Sequence, residues 1–199
     1  MRRSTPARTS ARSSACSIAR SPRILGERVD LRPATPDDVP AMQEIYAYHV
    51  LHGLASFEEE PPSAVEVRRR YEDVRARGLP WLAADFGGVL VGYGYCAPYR
   101  TRSAYRYSIE DSVYVRHGSE GRGVGSAILD ELIRRVTDLG YRQLIAVIGD
   151  SSHAPSINLH ARFGFLRVGT VRSVGYKFGR WVDTVVMQRP LGPGDGTPP

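Results

Sequence analysis

From Val29 onward the apolar positions follow two rhythms, one of period two and one near period 3.6, and each change of rhythm marks an element. Val29 and Leu31 alternate with polar neighbours as in a strand. Thr35-Pro36-Asp37-Asp38 then supplies an N-cap, a proline suited to a first turn, and two acids at the positive end of a helix dipole. Val39, Met42, Ile45, Tyr46 and Val50 recur at helical spacing and predict a helix with one buried stripe. Ser63 with Glu66 is a capping-box signal for a second helix reaching about Arg77, where Gly78 and Pro80 stop it. The intervening Phe57-Glu58-Glu59-Glu60-Pro61-Pro62 reads as a loop.

Trp81 to Phe86, a Gly87-Gly88 turn and Val89 to Tyr99 predict a β-hairpin, and Ser103 to Val115 predicts a further long strand. A glycine-rich loop, Gly118 to Gly125, precedes a helix predicted over Ser126 to Leu139, with Ile128, Leu132, Ile133 and Val136 on its apolar side and Gly140 as its stop. Leu144 to Ile148 is a short apolar strand, Pro155 to Phe163 a helix closed by Gly164, and Arg167 to Tyr176 with Trp181 to Met187 a last hairpin around Gly179. Trp181 is read as a packing residue. The order is strand, two helices, three antiparallel strands, helix, strand, helix, two strands, a mixed α/β class with no internal repeat.

With 199 residues and 42% apolar content, the chain supports a single core, expected over residues 27–191. Residues 1–26 are rich in Arg, Ser and Ala and hold too little apolar surface to offset the entropy of ordering, so a disordered tail is expected. That composition also suits a transit peptide or a short arm for phosphates. Residues 192–199, rich in Gly and Pro, are expected to be loose. The net charge of +6 resides in the tail: residues 1–28 carry seven Arg and one Glu, and the rest balances 20 basic against 20 acidic residues. A neutral domain argues against a nucleic-acid binder. No segment has the length and apolarity of a membrane span or secretory signal, so a cytoplasmic protein without membrane partners is expected. Cys16 and Cys96 make neither a disulfide framework nor a metal site, and Cys96, in an apolar run, is expected in the core.

The most informative segment runs from Val113-Tyr114-Val115 to Glu120-Gly121-Arg122-Gly123-Val124-Gly125-Ser126. A strand, a glycine loop and a helix N-terminus bind anions, because first-turn amides lack intrahelical partners and the dipole adds positive potential. An ordinary tight connection would use the same glycines for positive φ. A phosphate loop of the Gly-Lys-Ser/Thr type is excluded because Val124-Gly125-Ser126 has no lysine, and G-x-G-x-G is not the dinucleotide G-x-G-x-x-G.

The segment resembles the Arg/Gln-x-x-Gly-x-Gly/Ala motif of the GNAT acetyltransferases, with Gly123 and Gly125 in register. The resemblance spans about Val29 to Leu191 and looks closest to the phosphinothricin and methionine sulfoximine N-acetyltransferases, through ASFEEEPP at 55–62, GLPWLAAD at 78–85, SAYRYSIEDSVYV at 103–115, AVIGDS at 146–151 and KFGRWVDTVVMQ at 177–188. It implies a mostly antiparallel mixed sheet with two strands splayed apart and helices on its flanks. It implies acetyl-CoA as co-substrate, an amino-acid-like small-molecule amine as acceptor, no metal, and a homodimer. Backbone groups of Val113, Tyr114 and Val115 would line the pantetheine arm; Gly121, Arg122, Gly123, Val124, Gly125 and Ser126 would hold the pyrophosphate, with His153 and Ser156 also on the cofactor. Two positions depart from the pattern. Glu120 stands where the motif has Arg or Gln, and His153 where relatives have Asn, which predicts weaker cofactor binding.

By the same resemblance Glu110 is the general base that takes a proton from the amine, and His160 the general acid or proton relay. Asp111, the next residue along the strand, points to the other face and is a poorer base. A strand-end acid and a buried packing histidine are the non-catalytic alternatives for Glu110 and His160. Arg100, Arg102, Arg106 and Lys177 are candidates for the substrate carboxylate, and Phe57, Tyr105 and Tyr107 for pocket walls, unless the arginines are solvated charges and the aromatics core. A non-catalytic acetyl-CoA-binding module and an enzyme acting on protein or tRNA amines are the competing functions.

Overall fold

The computed structural model describes Met1 and residues 29–199. The expected N-terminal tail, with Cys16, therefore lies outside the described residues. The chain runs β1 (Asp30–Pro33), α1 (Val39–His52, entered through a 3-10 turn at Pro36–Asp38), α2 (Ala64–Ala76), β2 (Trp81–Phe86), β3 (Val89–Pro98), β4 (Ser108–Val115), α3 (Val124–Asp138), β5 (Gln143–Gly149), α4 (Ala154–Arg162), β6 (Leu166–Lys177) and β7 (Arg180–Pro190). The seven strands form one sheet in the order β1-β2-β3-β4-β5-β7-β6, antiparallel throughout except between β4 and β5.

Alternation along β3 decides which helix covers which face. Tyr93 and Tyr95 point to the side of α1 and α2, where Tyr95 stacks on Trp81 at 4.1 Å and Tyr93 on Tyr114 at 5.2 Å. Gly92 and Gly94 point to the other side. A Cβ on Gly92 would sit 2.8 Å from Val124 Cγ1, and one on Gly94 would strike Ile128. The absence of side chains there lets α3 lie directly on the β3 backbone, with Ile128, Leu129, Leu132 and Val136 fully buried beneath it. Cys96, on the same face, is also buried, as its apolar surroundings in the sequence indicated.

Several boundaries differ from the pattern reading. The strand expected from Ser103 begins at Ser108, because Ser103–Tyr105 forms a 3-10 turn stabilised by the Tyr105 and Arg106 amides. α3 begins at Val124, two residues before Ser126, because Gly123 adopts φ +86° and serves as its N-cap. The capping box of α2 is half made: Ser63 Oγ accepts from the Glu66 amide at 3.2 Å, while the Glu66 carboxylate turns to Arg69 and Arg70. In the 192–199 segment Arg142 donates to Gly194 O, Thr197 Oγ1 and Pro198 O. Trp181 is no core residue: it is 66% exposed on the sheet surface, edge-on to Tyr176.

Because α3 joins two glycine-lined strand positions to the rest of the core, Leu132→Ala should lower unfolding free energy by about 3 kcal/mol, measured by urea denaturation with an unchanged m-value.

Candidate active site

β4 and β5 pair only over Ser108–Asp111 and Gln143–Ala146, although β4 runs on to Val115 and β5 to Gly149. Beyond that point the strands part. At the two ends of β4 the Arg116 amide donates to Val91 O at 2.8 Å and the Tyr99 amide to Ser108 O at 3.4 Å. In an antiparallel ladder alternate residues address a given neighbour, so even-numbered residues of β4 turn their amides and carbonyls to β3. The odd-numbered ones turn toward β5, and at Val113 and Val115 they meet the gap instead of a strand. Tyr114 therefore offers the gap no backbone groups, contrary to the expectation that Val113, Tyr114 and Val115 act alike. One of the gap-facing groups is already met: His49, from α1, donates from Nε2 to Val115 O at 2.8 Å.

The open end of this gap leads to the N-terminus of α3. The first α-helical hydrogen bond after the cap is Ala127 N to Gly123 O at 3.0 Å, so the amides of Val124, Gly125 and Ser126 have no intrahelical acceptor. Gly121 and Gly123 take positive φ, and space around their Cα atoms is open. Gly125 has a different task. A Cβ there would lie 3.3 Å from Leu159 and 3.6 Å from Val115, so its smallness lets α3, α4 and β4 converge. Arg122 sits with its guanidinium 3.9 Å from the centroid of the Phe86 ring. The Glu120 carboxylate accepts from the Gly118 amide at 2.7 Å and lies 3.6 Å from His117 Nδ1, which gives the charge partners of its own within the loop. His153 is the N-cap residue of α4, without a side-chain cap bond, and burial lowers its pKa. Ser156 follows in the first turn of that helix.

Glu110 and Asp111 occupy opposite faces of β4, as alternation requires. Glu110 lies on the face of Tyr95 and Ser112, where burial, reinforced by the charge of Asp111 and opposed by Arg100, raises its pKa to about 7. That places a carboxylate poised to accept a proton near neutrality beside the gap. Asp111 faces α4. His160, 4% exposed, approaches Asp111 Oδ2 with Nε2 at 3.0 Å and donates from Nδ1 to Ser156 O at 2.8 Å. Burial works against a charged ring, but the hydrogen bond and charge of Asp111 outweigh it, and the His160 pKa is raised. Both ring nitrogens are engaged, and the ring stands on the face opposite Glu110. His160 is buried and joins α4 to the strand that carries Glu110. Its partner is 49 residues away, so no local pattern could have signalled the pair.

The substrate candidates do not converge on one spot. Arg100, Arg102, Tyr105 and Arg106 line an open cavity of about 670 Å³ between α2 and the 98–108 segment, together with Arg70 and Tyr95. Tyr107 lies under the Arg106 guanidinium at 4.6 Å. Phe57 sits at the other end of the face, over Gly149 and Gly175. Lys177 makes no ion pair among the described residues: it is 2% exposed and donates to Ser56 O at 2.7 Å and Gly53 O at 3.1 Å. The sequence reading missed His49, a polar residue at helical spacing from Met42, Ile45 and Tyr46 and so on the inward side of α1, and the Tyr46–Glu58–Arg70 cluster behind Phe57. Among the described residues no group of three or more His, Cys, Asp or Glu could hold a metal, and no helix is long and apolar enough to cross a membrane.

A parted pair of strands, a glycine loop and a free helix N-terminus are joined by sequence relationships. Residues 31–186 match the model of the acetyltransferase (GNAT) domain. The chain belongs to the GNAT acetyltransferases. This acetyltransferase is 52% identical to a phosphinothricin N-acetyltransferase of Alcaligenes faecalis over 85% of its own length and 86% of the relative's. It is 38% identical to an L-methionine sulfoximine/L-methionine sulfone acetyltransferase of Pseudomonas paraeruginosa, covering 84% and 98%. Its fold superposes with a TM-score of 0.83 on a GNAT-superfamily phosphinothricin acetyltransferase from Sinorhizobium meliloti solved in complex with AcCoA, at 44% identity over 86% and 92% of the two chains.

The buried pair gives a signed expectation. With its pKa raised above 6.5, His160 adds stability that is complete below pH 6.5 and is lost as pH rises through its folded value. Asp111→Asn should cost about 3 kcal/mol near pH 6 and less at alkaline pH, read from denaturant midpoints across that range.

Proposed function

We propose that the enzyme transfers the acetyl group of acetyl-CoA to the primary amine of a small amino-acid-like molecule of the phosphinothricin or methionine sulfoximine type. The observation that carries the reading is Glu110, held near pKa 7 on the strand that borders the gap. The residues present suit the cofactor. Val113 and the amide of Val115, whose carbonyl already accepts from His49, offer strand groups to an amide-bearing arm, and the α3 amides from Val124 to Ser126, with Gly121 and Gly123, suit a diphosphate. Acetyl-CoA brings the acetyl carbon as a thioester whose thiol, with a pKa of about 8.5, leaves without an obligatory proton donor. His160 is accordingly assigned to positioning.

An amino-acid amine has a pKa of about 8 and is mostly protonated at neutral pH, so the amine must lose one proton before its lone pair can form the new N–C bond; the C–S bond then breaks, the sulfur departs as the thiolate, and the second proton lost from nitrogen neutralises it. Glu110 accepts the first proton, directly or through one water, in its ionised form. Arg100, Arg102 and Arg106 are the cations nearest to hand for the substrate's acidic group, with Tyr105 in the same cavity, and Phe57 walls the other end of the face that carries Glu110. The near-neutral domain gives no support to a polymeric nucleic-acid substrate, and we place the enzyme in the cytoplasm.

A homodimer accounts for the sheet edge. β6 is an edge strand, and Leu166, Val168, Val174 and Tyr176, with Trp181 on β7, expose between 53% and 73% of their surface. An apolar strand edge of this kind is stabilised by pairing with a second copy.

Thiol release from acetyl-CoA should appear with phosphinothricin, methionine sulfoximine or methionine sulfone. Glu110→Gln should lower kcat by roughly 10²–10³ while acetyl-CoA still binds by calorimetry, and should abolish the limb of the pH–rate profile that rises through about pH 7. Full turnover in that variant would overturn the assignment of the base. Light scattering should give twice the 22.0 kDa chain mass, and Val168→Asp should return the monomer.

A further inference from the structure

The loop between α1 and α2 crosses the face of the sheet that carries Glu110, at the end where β5 stops. Alternation places Gly149 on that face with Ile145, the partner of Glu110, and Gly175 opposite Val182 continues it. Both glycines are seats. A Cβ on Gly149 would collide with the Leu54 carbonyl oxygen, and one on Gly175 would collide with the Phe57 ring. Behind the loop Ser56 Oγ is 2.8 Å from the Tyr46 hydroxyl, which donates to Glu58 at 3.1 Å, and Arg70 donates to the same carboxylate at 2.7 Å.

The tie across the loop is Lys177. A buried ammonium costs desolvation energy that an apolar residue of equal length would not. Among the described residues no carboxylate lies within ion-pair distance of its Nζ, and its hydrogen bonds go to two carbonyls of this loop, Gly53 O and Ser56 O, with the Phe178 ring 4.9 Å away. What the amino group does that a methyl group could not is fix the spacing of those carbonyls, and Phe57 is the residue next to Ser56. We propose that Lys177 is a positioning residue for the amine site: by binding the carbonyls of Gly53 and Ser56 it holds Phe57 on the Gly149–Gly175 seat as a wall of the acceptor pocket. The proposal rests on the acetyl-transfer reading of this face. It predicts that the loop governs amine recognition and leaves the coenzyme-binding end, around α3, unaffected.

Lys177→Met removes the donors and keeps the length, and Gly175→Ala displaces the Phe57 ring with the lysine left in place. Each should raise KM for the amine about tenfold, the effect of losing ~1.4 kcal/mol of hydrogen bonding or packing, with kcat and the KM for acetyl-CoA changed less than about twofold. Hydrogen exchange at residues 53–58 should accelerate in Lys177→Met. An unchanged amine KM in folded Lys177→Met, or a parallel rise in both KM values, overturns the proposal. If Lys177→Met does not fold, Gly175→Ala decides by the same criterion. Absence of wild-type turnover with every amine would sink the transferase reading instead, and the tether is then judged by exchange alone, an unaltered rate in Lys177→Met refuting it.

Discussion

The structure depends on an interaction that is made for four residues and then stops: the parallel pairing of β4 with β5. From Ser108 to Asp111 the two strands share hydrogen bonds, and from Val113 onward they do not. Unpaired strand groups in a protein interior are costly unless something else satisfies them. The chain accepts this exposure because the sheet is secured on either side. β4 remains fully registered with β3 to Val115, and β5 with β7 to Gly149. The gap is bordered by two rigid half-sheets, and an extended ligand with amides of its own would complete the ladder.

Everything placed around the gap has a reason in the same geometry. Glycines at 92 and 94 bring α3 close to the sheet, which sets its N-terminus at the mouth of the gap. Gly125 lets α4 and α3 meet there. The two acids of β4 separate by alternation into unlike environments. Asp111 is buried with His160 and holds α4 to the strand, whereas Glu110 is partly desolvated on the open face and is raised to about 7. Neighbouring residues of one type thus acquire different tasks from the direction in which each points.

The face opposite α3 is covered by α1 and α2 only as far as β4. Past that strand the loop with Phe57 lies over Gly149 and Gly175, while the arginine-lined cavity opens between α2 and the 98–108 segment. Lys177 shows how a residue type can mislead. A lysine in a glycine-containing hairpin reads as a surface charge available for a carboxylate, and the fold turns it inward to bind backbone carbonyls 121 and 124 residues away.

By itself the sequence determined the order of elements, the mixed α/β class, the glycine loop at a helix start and the separation of Glu110 from Asp111 onto opposite faces of their strand, because period, caps and glycines act over a few residues. The family resemblance lay in contiguous blocks and was legible for the same reason. Tertiary structure alone decided what depends on distant partners: that Val113 and Val115 face a gap while Tyr114 faces β3, that His160 is paired with Asp111, that Lys177 ties a loop and that Trp181 is exposed. Those outcomes follow from strand pairing and burial, which no short window of sequence contains.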